Sequence, residues 1–356
     1  MKILMLPHNV ASDMSNRIEY LERLPNVSIR AFTTWRSSLI EDDKCIHLPA
    51  GMISKNIFIK FFAYLKYLRI IQKEVIWADI IHWYWDFTYI PFLKIPLEYF
   101  ILSYYKKPGF IVWCGSEIRN PNIDKLINPY YKTTILNGKY EYKFESSSRS
   151  KRTQFYFSKL KYVPLVFIGI DHYIDKSRFP IQKRIFQVIN LKKFKPKYPT
   201  FTSSRSIRIV HSASVLGGKG TEYIIKAVEE LKDIFNIDFY LIHKLSKSEA
   251  LLRVSECDLF IDQLITGSHG TAAVEAMAFG KPVLCYINDI VLPNYPPEFP
   301  IINVTVNSLQ KVLFDLLSNP ENLTSKGQES RIYVEKYHND EVNAINLLEN
   351  YKNSIL

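Results

Sequence analysis

The sequence predicts an α/β protein built on parallel β-sheet and divided into two domains. The first sign is the stretch from Asp258 to Ile287. A short apolar run, Asp258-Leu-Phe-Ile-Asp262, leads into the loop Gln263-Leu-Ile-Thr-Gly-Ser-His-Gly270. Good helix formers follow, Thr271-Ala-Ala-Val-Glu-Ala-Met-Ala-Phe-Gly280, and then a second apolar run, Lys281-Pro-Val-Leu-Cys-Tyr-Ile287. Apolar runs of this length read as buried strands, and glycine with proline just beyond is a helix stop. Strand, helix and strand in that order form the crossover unit of a parallel sheet. The second sign lies upstream: the apolar run Ile207–His211 passes through the glycine-bearing stretch 212–220 into a helix with Ile224, Val228 and Leu231 on one face. The third is size. A chain of 356 residues, 47% apolar, is long enough for two domains, each with its own core.

The remaining elements follow in order. Lys2–Leu6 reads as a first strand rather than a signal peptide, Ser15–Leu24 has helical spacing, and Val27–Thr33 is a second strand. Ala78–His82 is a strand followed by the aromatic loop Trp83-Tyr-Trp-Asp86, and Pro91–Pro108 is an aromatic segment with basic ends. Phe110–Trp113 and Val163–Ile168 are strands. The polar stretch between them, Asp124–Tyr162, centred on Ser146-Ser-Ser-Arg-Ser-Lys-Arg152, reads as a loop, either mobile over a cleft or simply solvated. Tyr198–Ser206 reads as a linker. Beyond it lie a strand at Phe239–His243, a Ser246/Glu249 capping box, a helix at Ser308–Leu317 and a broken helix over Ser330–Tyr351.

Composition narrows the function. Four scattered cysteines without CxxC spacing fit a reducing compartment and give no zinc site. No apolar run reaches the ~18–20 residues that span a bilayer. The net charge of +11 is polarised. Up to residue 200 there are 32 basic and 16 acidic residues; thereafter there are 14 and 19. The first half therefore suits an anionic partner, either a membrane surface, a lipid diphosphate or nucleic acid. Nucleic acid is disfavoured, because no recognition-helix or RNP-type motif occurs.

Ser54–Glu74 sharpens the membrane alternative. Lys55, Lys66, Arg69 and Lys73 share a narrow stripe at 100° per residue beside a wide arc of Ile, Phe, Tyr and Leu. Such a helix can lie on an anionic membrane, helped by basic residues near Arg149–Arg152. It can equally be a core helix whose basic stripe faces water.

The chemistry is expected where glycine-bearing loops enter helices. Backbone N–H groups and the positive dipole end meet there, which suits phosphate. Lys219 adds a point charge at one such helix start. Glu275, about one turn into the other helix, would repel phosphate but can accept two O–H bonds from a ribose diol. It can also be an ordinary first-turn acid that complements the dipole. No Asp-x-Asp metal motif and no Walker A spacing occurs.

The segment Gly270-Thr-Ala-Ala-Val-Glu-Ala-Met-Ala-Phe-Gly-Lys-Pro-Val283 resembles the donor-site segment of the GT-B glycosyltransferases of family 4. That resemblance implies two facing Rossmann-like, doubly wound domains: an acceptor domain at 1–186, a linker at 187–206, a donor domain at 207–335, and a final helix, 336–356, crossing back to the first domain. The family carries two glutamates eight residues apart. Glu275 matches the second, which touches ribose; Gly267 stands at the first, which touches the sugar. The stretch Trp113-Cys-Gly-Ser-Glu-Ile-Arg119 resembles the family's His-Gly-Ser-Asp-Ile-Arg loop, with Cys114 and Glu117 replacing His and Asp. A family arginine six residues before Lys219 is Ala213 here, and Asn190 replaces an aspartate of the inter-domain segment.

The resemblance implies donor contacts from His211, Ser212, Gly218, Lys219, Gly267, Ser268, His269, Gly270, Thr271 and Glu275, with Lys219 and Glu275 carrying catalysis. His8, Asp86, Gly115, Glu117 and Arg119 are expected on the acceptor side; His8 can equally be an ordinary loop histidine. The implied reaction is sugar transfer, with retention, from a nucleotide-diphosphate sugar to a saccharide or lipid-linked saccharide, in bacterial surface polysaccharide or glycan synthesis. No metal and no cofactor beyond the nucleotide sugar is expected. The expected location is the cytoplasm, with peripheral attachment to the inner face of the cell membrane. A nucleotide-sugar epimerase or a non-catalytic nucleotide-sugar binder shares the same sequence features.

Overall fold

A computed structural model of the chain describes residues 1–34, 44–89, 95–136, 145–201 and 205–355. The chain forms two compact units. One comprises Met1–Asn120, Phe144–Val188 and Asp340–Leu356, the other Pro121–Lys143 and Ile189–Asn339.

The first unit is built on a seven-stranded, wholly parallel sheet. Its strands are β1 (Lys2–Leu6), β2 (Ser28–Thr33), β3 (Ile46–His47), β4 (Ile80–Tyr84), β5 (Gly109–Val112), β6 (Val163–Phe167) and β7 (Lys183–Ile185). Their order is β3-β2-β1-β4-β5-β6-β7, so the winding direction reverses between β1 and β4. The central strands are buried along nearly their whole length, as parallel strands covered on both faces must be.

The helix Ile57–Trp77 is capped by Asn56, whose side chain accepts from the N–H groups of Phe58 and Ile59. It buries Ala63, Tyr64, Tyr67, Ile71, Glu74 and Val75. Tyr64 donates to Glu98 Oε2 at 2.8 Å, which ties it to the helix Leu97–Tyr105. Burial pushes the Glu98 carboxyl up to about 7, against the hydrogen bonds it accepts. The last helix, Asp340–Ile355, packs on Asp13–Leu21, and its buried Tyr351 bonds His82 of β4.

The second unit has a five-stranded parallel sheet: β8 (Ile207–Ser212), β9 (Ile237–Ile242), β10 (Leu259–Ile261), β11 (Val283–Cys285) and β12 (Ile302–Asn303). The order β12-β11-β10-β8-β9 places the reversal between β8 and β10. Ile209, Ile224, Val228, Leu259, Ile261 and Leu313 form the centre of its core. The capping box at Ser246 and Glu249 is present.

Two features depart from the sequence reading. Residues 121–136, expected in the first domain, belong to the second unit. And Asp124–Tyr162 is not a loop: it holds the helices Pro121–Ile127 and Pro129–Leu136 and, from the first unit, Ser147–Lys159. The first two are held by hydrogen bonds that local pattern does not reveal. Asn128 Nδ2 donates to the Ile265 carbonyl at 2.6 Å, and Asn288 Nδ2 to that of Ile127 at 2.8 Å.

Candidate functional site

In an open α/β sheet, ligands bind beyond the carboxyl ends of the strands where the order reverses. In the second unit that place is the space after β8 and β10. The short helix Leu216–Lys219 follows β8 and brings Lys219 across to β10. Its Nζ lies 2.7 Å from Oδ1 of Asp262, the residue directly after β10. The other oxygen, Oδ2, accepts the N–H of Gly270 at 2.6 Å. Gly270 caps the helix Thr271–Ala278 with no side chain, and a Cβ there would stand 3.3 Å from Lys219 Nζ. The glycine at 270 leaves room for the ammonium against the start of that helix.

Asp262 is fully buried. Burial alone would raise its carboxyl, but the charge and hydrogen bond of Lys219 and the N–H of Gly270 bring it below the usual carboxylate range. Glu275, also buried, pairs with Lys247 at the start of the helix Lys247–Glu256. Lys219 and Glu275 therefore come to the same helix, each with a partner that sequence reasoning missed. Asp262 was marked only as the polar end of an apolar run. Nothing local points from Lys247 to Glu275.

His211 has both ring nitrogens engaged inside the protein. Nδ1 meets the Ile261 carbonyl at 2.8 Å and Nε2 the Thr221 hydroxyl at 2.9 Å. Burial pulls its pKa down to about 4. Ser212 is half-buried at the end of β8, and Gly218 is buried within the short helix. Gly267 has a φ of +82°. Gln263, unremarked in the sequence, knits the loop: its Oε1 accepts from Ile265 N and Thr266 N, and its Nε2 donates to the Ser268 carbonyl. His269 is buried beside the Tyr295 and Phe299 rings, and burial lowers its pKa. Thr271 opens the helix.

In the first unit the corresponding place lies after β1 and β4, where the sequence pointed to His8 and Asp86. The His8 ring meets Trp85 edge-on at 6.2 Å between centroids, and its Nδ1 lies 2.8 Å from Thr34 Oγ1. Burial and the Arg149 charge lower its pKa to about 4. Asp86 is buried and accepts from Arg149 Nε at 3.0 Å, Tyr89 OH at 3.0 Å and Phe87 N at 2.8 Å. After β5, Glu117 folds back onto the N–H groups of Cys114 and Gly115. Burial raises its carboxyl to about 7, opposed by those N–H groups and by Arg149. Arg119 pairs with Glu145 at 2.9 Å.

Arg149 is thus the residue that gathers His8, Asp86 and Glu117 around one charge. Its segment is helical, started by Ser146, whose side chain accepts from Arg149 N. Arg152 stacks on Tyr89, its guanidinium carbon 4.4 Å from the ring centroid. These two arginines are built into the first unit and are not a free basic loop.

Among the described residues no three His, Cys, Asp or Glu side chains form a group able to hold a metal ion. No helix among them is long and apolar enough to cross a membrane.

Two doubly wound parallel sheets, with loops rich in charged residues at both switch points, define the GT-B class of α/β fold. Solved structures bear this out. The chain is similar to a sucrose-phosphate synthase from Thermosynechococcus elongatus (TM-score 0.67, 13% identity), over 99% of this chain and 98% of that one. It is similar to a glycosyltransferase from Rickettsia africae (0.62, 15%), over 99% and 98%. It is also similar to Anabaena HepE in complex with UDP (0.58, 12%), over 99% and 100%. At these identities the likeness is one of fold. No protein-family model matches the chain, and no curated protein matches it.

Proposed function

We propose that this protein is a glycosyltransferase that moves a sugar from a nucleotide-diphosphate sugar to a saccharide or lipid-linked saccharide, with retention. The observation that carries this reading is the Lys219 ammonium lodged at the start of the helix that bears Glu275. A diphosphate placed there meets Lys219 and the leading N–H groups of the helix, and the ribose diol meets Glu275. In the reaction the bond from the anomeric carbon to the diphosphate oxygen breaks and a bond to the acceptor oxygen forms. The acceptor proton passes to the leaving phosphate oxygen on the same face. Lys219 and the helix N–H groups stabilise the charge that develops on the diphosphate. HepE, solved with UDP and with UDP-glucose, makes a uridine diphosphate sugar the first donor to test.

The acceptor reading rests on the first unit, where Arg149, His8, Asp86 and Glu117 gather. We place the work of the enzyme at an anionic membrane surface, in surface polysaccharide or glycan synthesis. Phe58 and Phe62 on the helix Ile57–Trp77 are 72% and 66% exposed, and Tyr104 on the neighbouring helix is 79% exposed. Lys66, Arg69 and Lys73 stand exposed on the same face of the first helix. Aromatic side chains beside lysine and arginine are the composition of an interfacial helix.

Transfer of labelled sugar from UDP-, GDP- and ADP-sugars to extracted lipid and to saccharides tests the activity. Nucleotide binding without transfer to any acceptor would leave a binding protein. Conversion of the sugar without transfer would make it an epimerase.

A further inference from the structure

We infer that Asp262 is a positioning residue of the donor site, holding Lys219 where the diphosphate is to be met. The inference rests on the donor-site reading above and goes deeper into it. Asp262 has no exposed surface, so it does not itself touch a ligand. Its two oxygens take the two donors that flank the site, Lys219 Nζ at 2.7 Å and Gly270 N at 2.6 Å. An ammonium has three protons and a backbone amide one. Asp262 therefore engages one proton of Lys219 and uses up the Gly270 N–H. The diphosphate is left with Lys219 and the N–H groups of Thr271 and Ala272, which at a helix start have no acceptor within their own helix. The carboxylate also fixes a side chain that would otherwise sample many rotamers. Less ordering then remains to be done when the anion arrives. The absent side chain at Gly270 completes the arrangement by leaving room for the ammonium.

A plain structural role would weaken every ligand alike, and a repulsive role would make removal of Asp262 tighten anion binding. A double-mutant cycle separates these from positioning. The variants are Asp262→Asn, Lys219→Met and the pair. The probes are whichever of UDP, GDP and ADP binds tightest and its parent nucleoside, which lacks phosphate. Asp262→Asn is expected to weaken the diphosphate by roughly tenfold or more. In the Lys219→Met background it should change affinity by less than about twofold, and nucleoside binding should be the same in all four proteins.

Gly270→Ala supplies a second route that leaves Asp262 in place. Its Cβ crowds the ammonium, so it should give the same phosphate-dependent loss. Equal effects of Asp262→Asn with and without Lys219, tighter diphosphate binding, a parallel loss of nucleoside, or unchanged binding in Gly270→Ala would each overturn the inference. Indifference of the diphosphate to Lys219→Met would instead remove the donor-site reading. Failure of all three diphosphates to bind would remove both.

Discussion

Glu275 Oε1 accepts the ammonium of Lys247, which comes from the helix following β9. A ribose diol on Glu275 therefore has to share or displace a lysine already present. Glu275→Ala should lose roughly 2–4 kcal/mol of nucleotide affinity, two hydrogen bonds of which at least one is to a charged group. Lys247→Ala should lose less, because it removes a competitor as well as a support. Calorimetry with UDP and GDP decides. An unchanged affinity in Glu275→Ala for the preferred nucleotide would sink its assignment.

Turnover should need no divalent metal, since Lys219 and a helix start already face the position proposed for the leaving diphosphate. Activity is expected to persist in excess EDTA. Complete loss that Mn²⁺ or Mg²⁺ restores would contradict this mechanism.

Gly267 stands where the resembled family carries its first glutamate, with a φ of +82° and an added Cβ only 3.0 Å from that of Asn288. Side chains are disfavoured at such φ, and the neighbouring backbone would have to shift. Gly267→Glu should therefore lower stability by about 1–3 kcal/mol and give no gain in turnover. A stable variant with raised activity, by thermal melting and sugar transfer, would show that the loop accommodates the missing contact.

The helix Ile57–Trp77 should hold the protein on anionic vesicles. Lys66, Arg69 and Lys73 on its exposed face, with Lys55 just before its Asn56 cap, contribute on the order of 4 kcal/mol at about 1 kcal/mol each, lost as salt rises. The exposed aromatics add burial that salt does not remove. Arg149 takes no part, since it holds the buried Asp86. In flotation assays the fourfold Lys/Arg→Glu variant should stay folded and fail to bind, and Phe58→Ser with Phe62→Ser should weaken what binding persists at high salt. If the parent protein ignores anionic vesicles at low salt, the acceptor is not membrane-bound through this face. A dimer seen by light scattering that Phe58→Ser breaks would assign the face to a second copy instead.

His211 should make the fold acid-sensitive. Its pKa is about 4 in the folded protein and near 6.5 when unfolded, so the unfolded chain binds the proton first. The stability it contributes is complete above about pH 6.5 and is lost as pH falls towards 4, by about 3 kcal/mol in all. His8 and His172, each lowered to about 4, act in the same direction. Glu98 and Glu117, raised to about 7, oppose it by taking up protons in the folded state as pH falls through 7. Denaturant melts from pH 7 to 4 should show a steeper fall in the parent than in His211→Asn, which should be less stable than the parent at pH 7. Equal slopes would mean that His211 is not buried neutral.

Local pattern was enough to place the central strands, the glycine loops and the helix starts that follow those loops, because these depend on side-chain period, caps and turn chemistry within a few residues. It also singled out Lys219, Glu275, His8 and Asp86, which stand at loop ends and helix starts. What it could not supply were their partners. Asp262 lies 43 residues from Lys219, Lys247 lies 28 from Glu275, and Arg149 lies 63 from Asp86. Those meetings depend on β10 lying beside β8, and on Ser147–Lys159 being a helix of the first unit whose Arg149 turns inward to Asp86. The same is true of residues 121–136, whose Asn128 satisfies a carbonyl 137 positions away. A charge in sequence has no preferred partner. Only the packed chain, by burying it, requires one of opposite sign within reach.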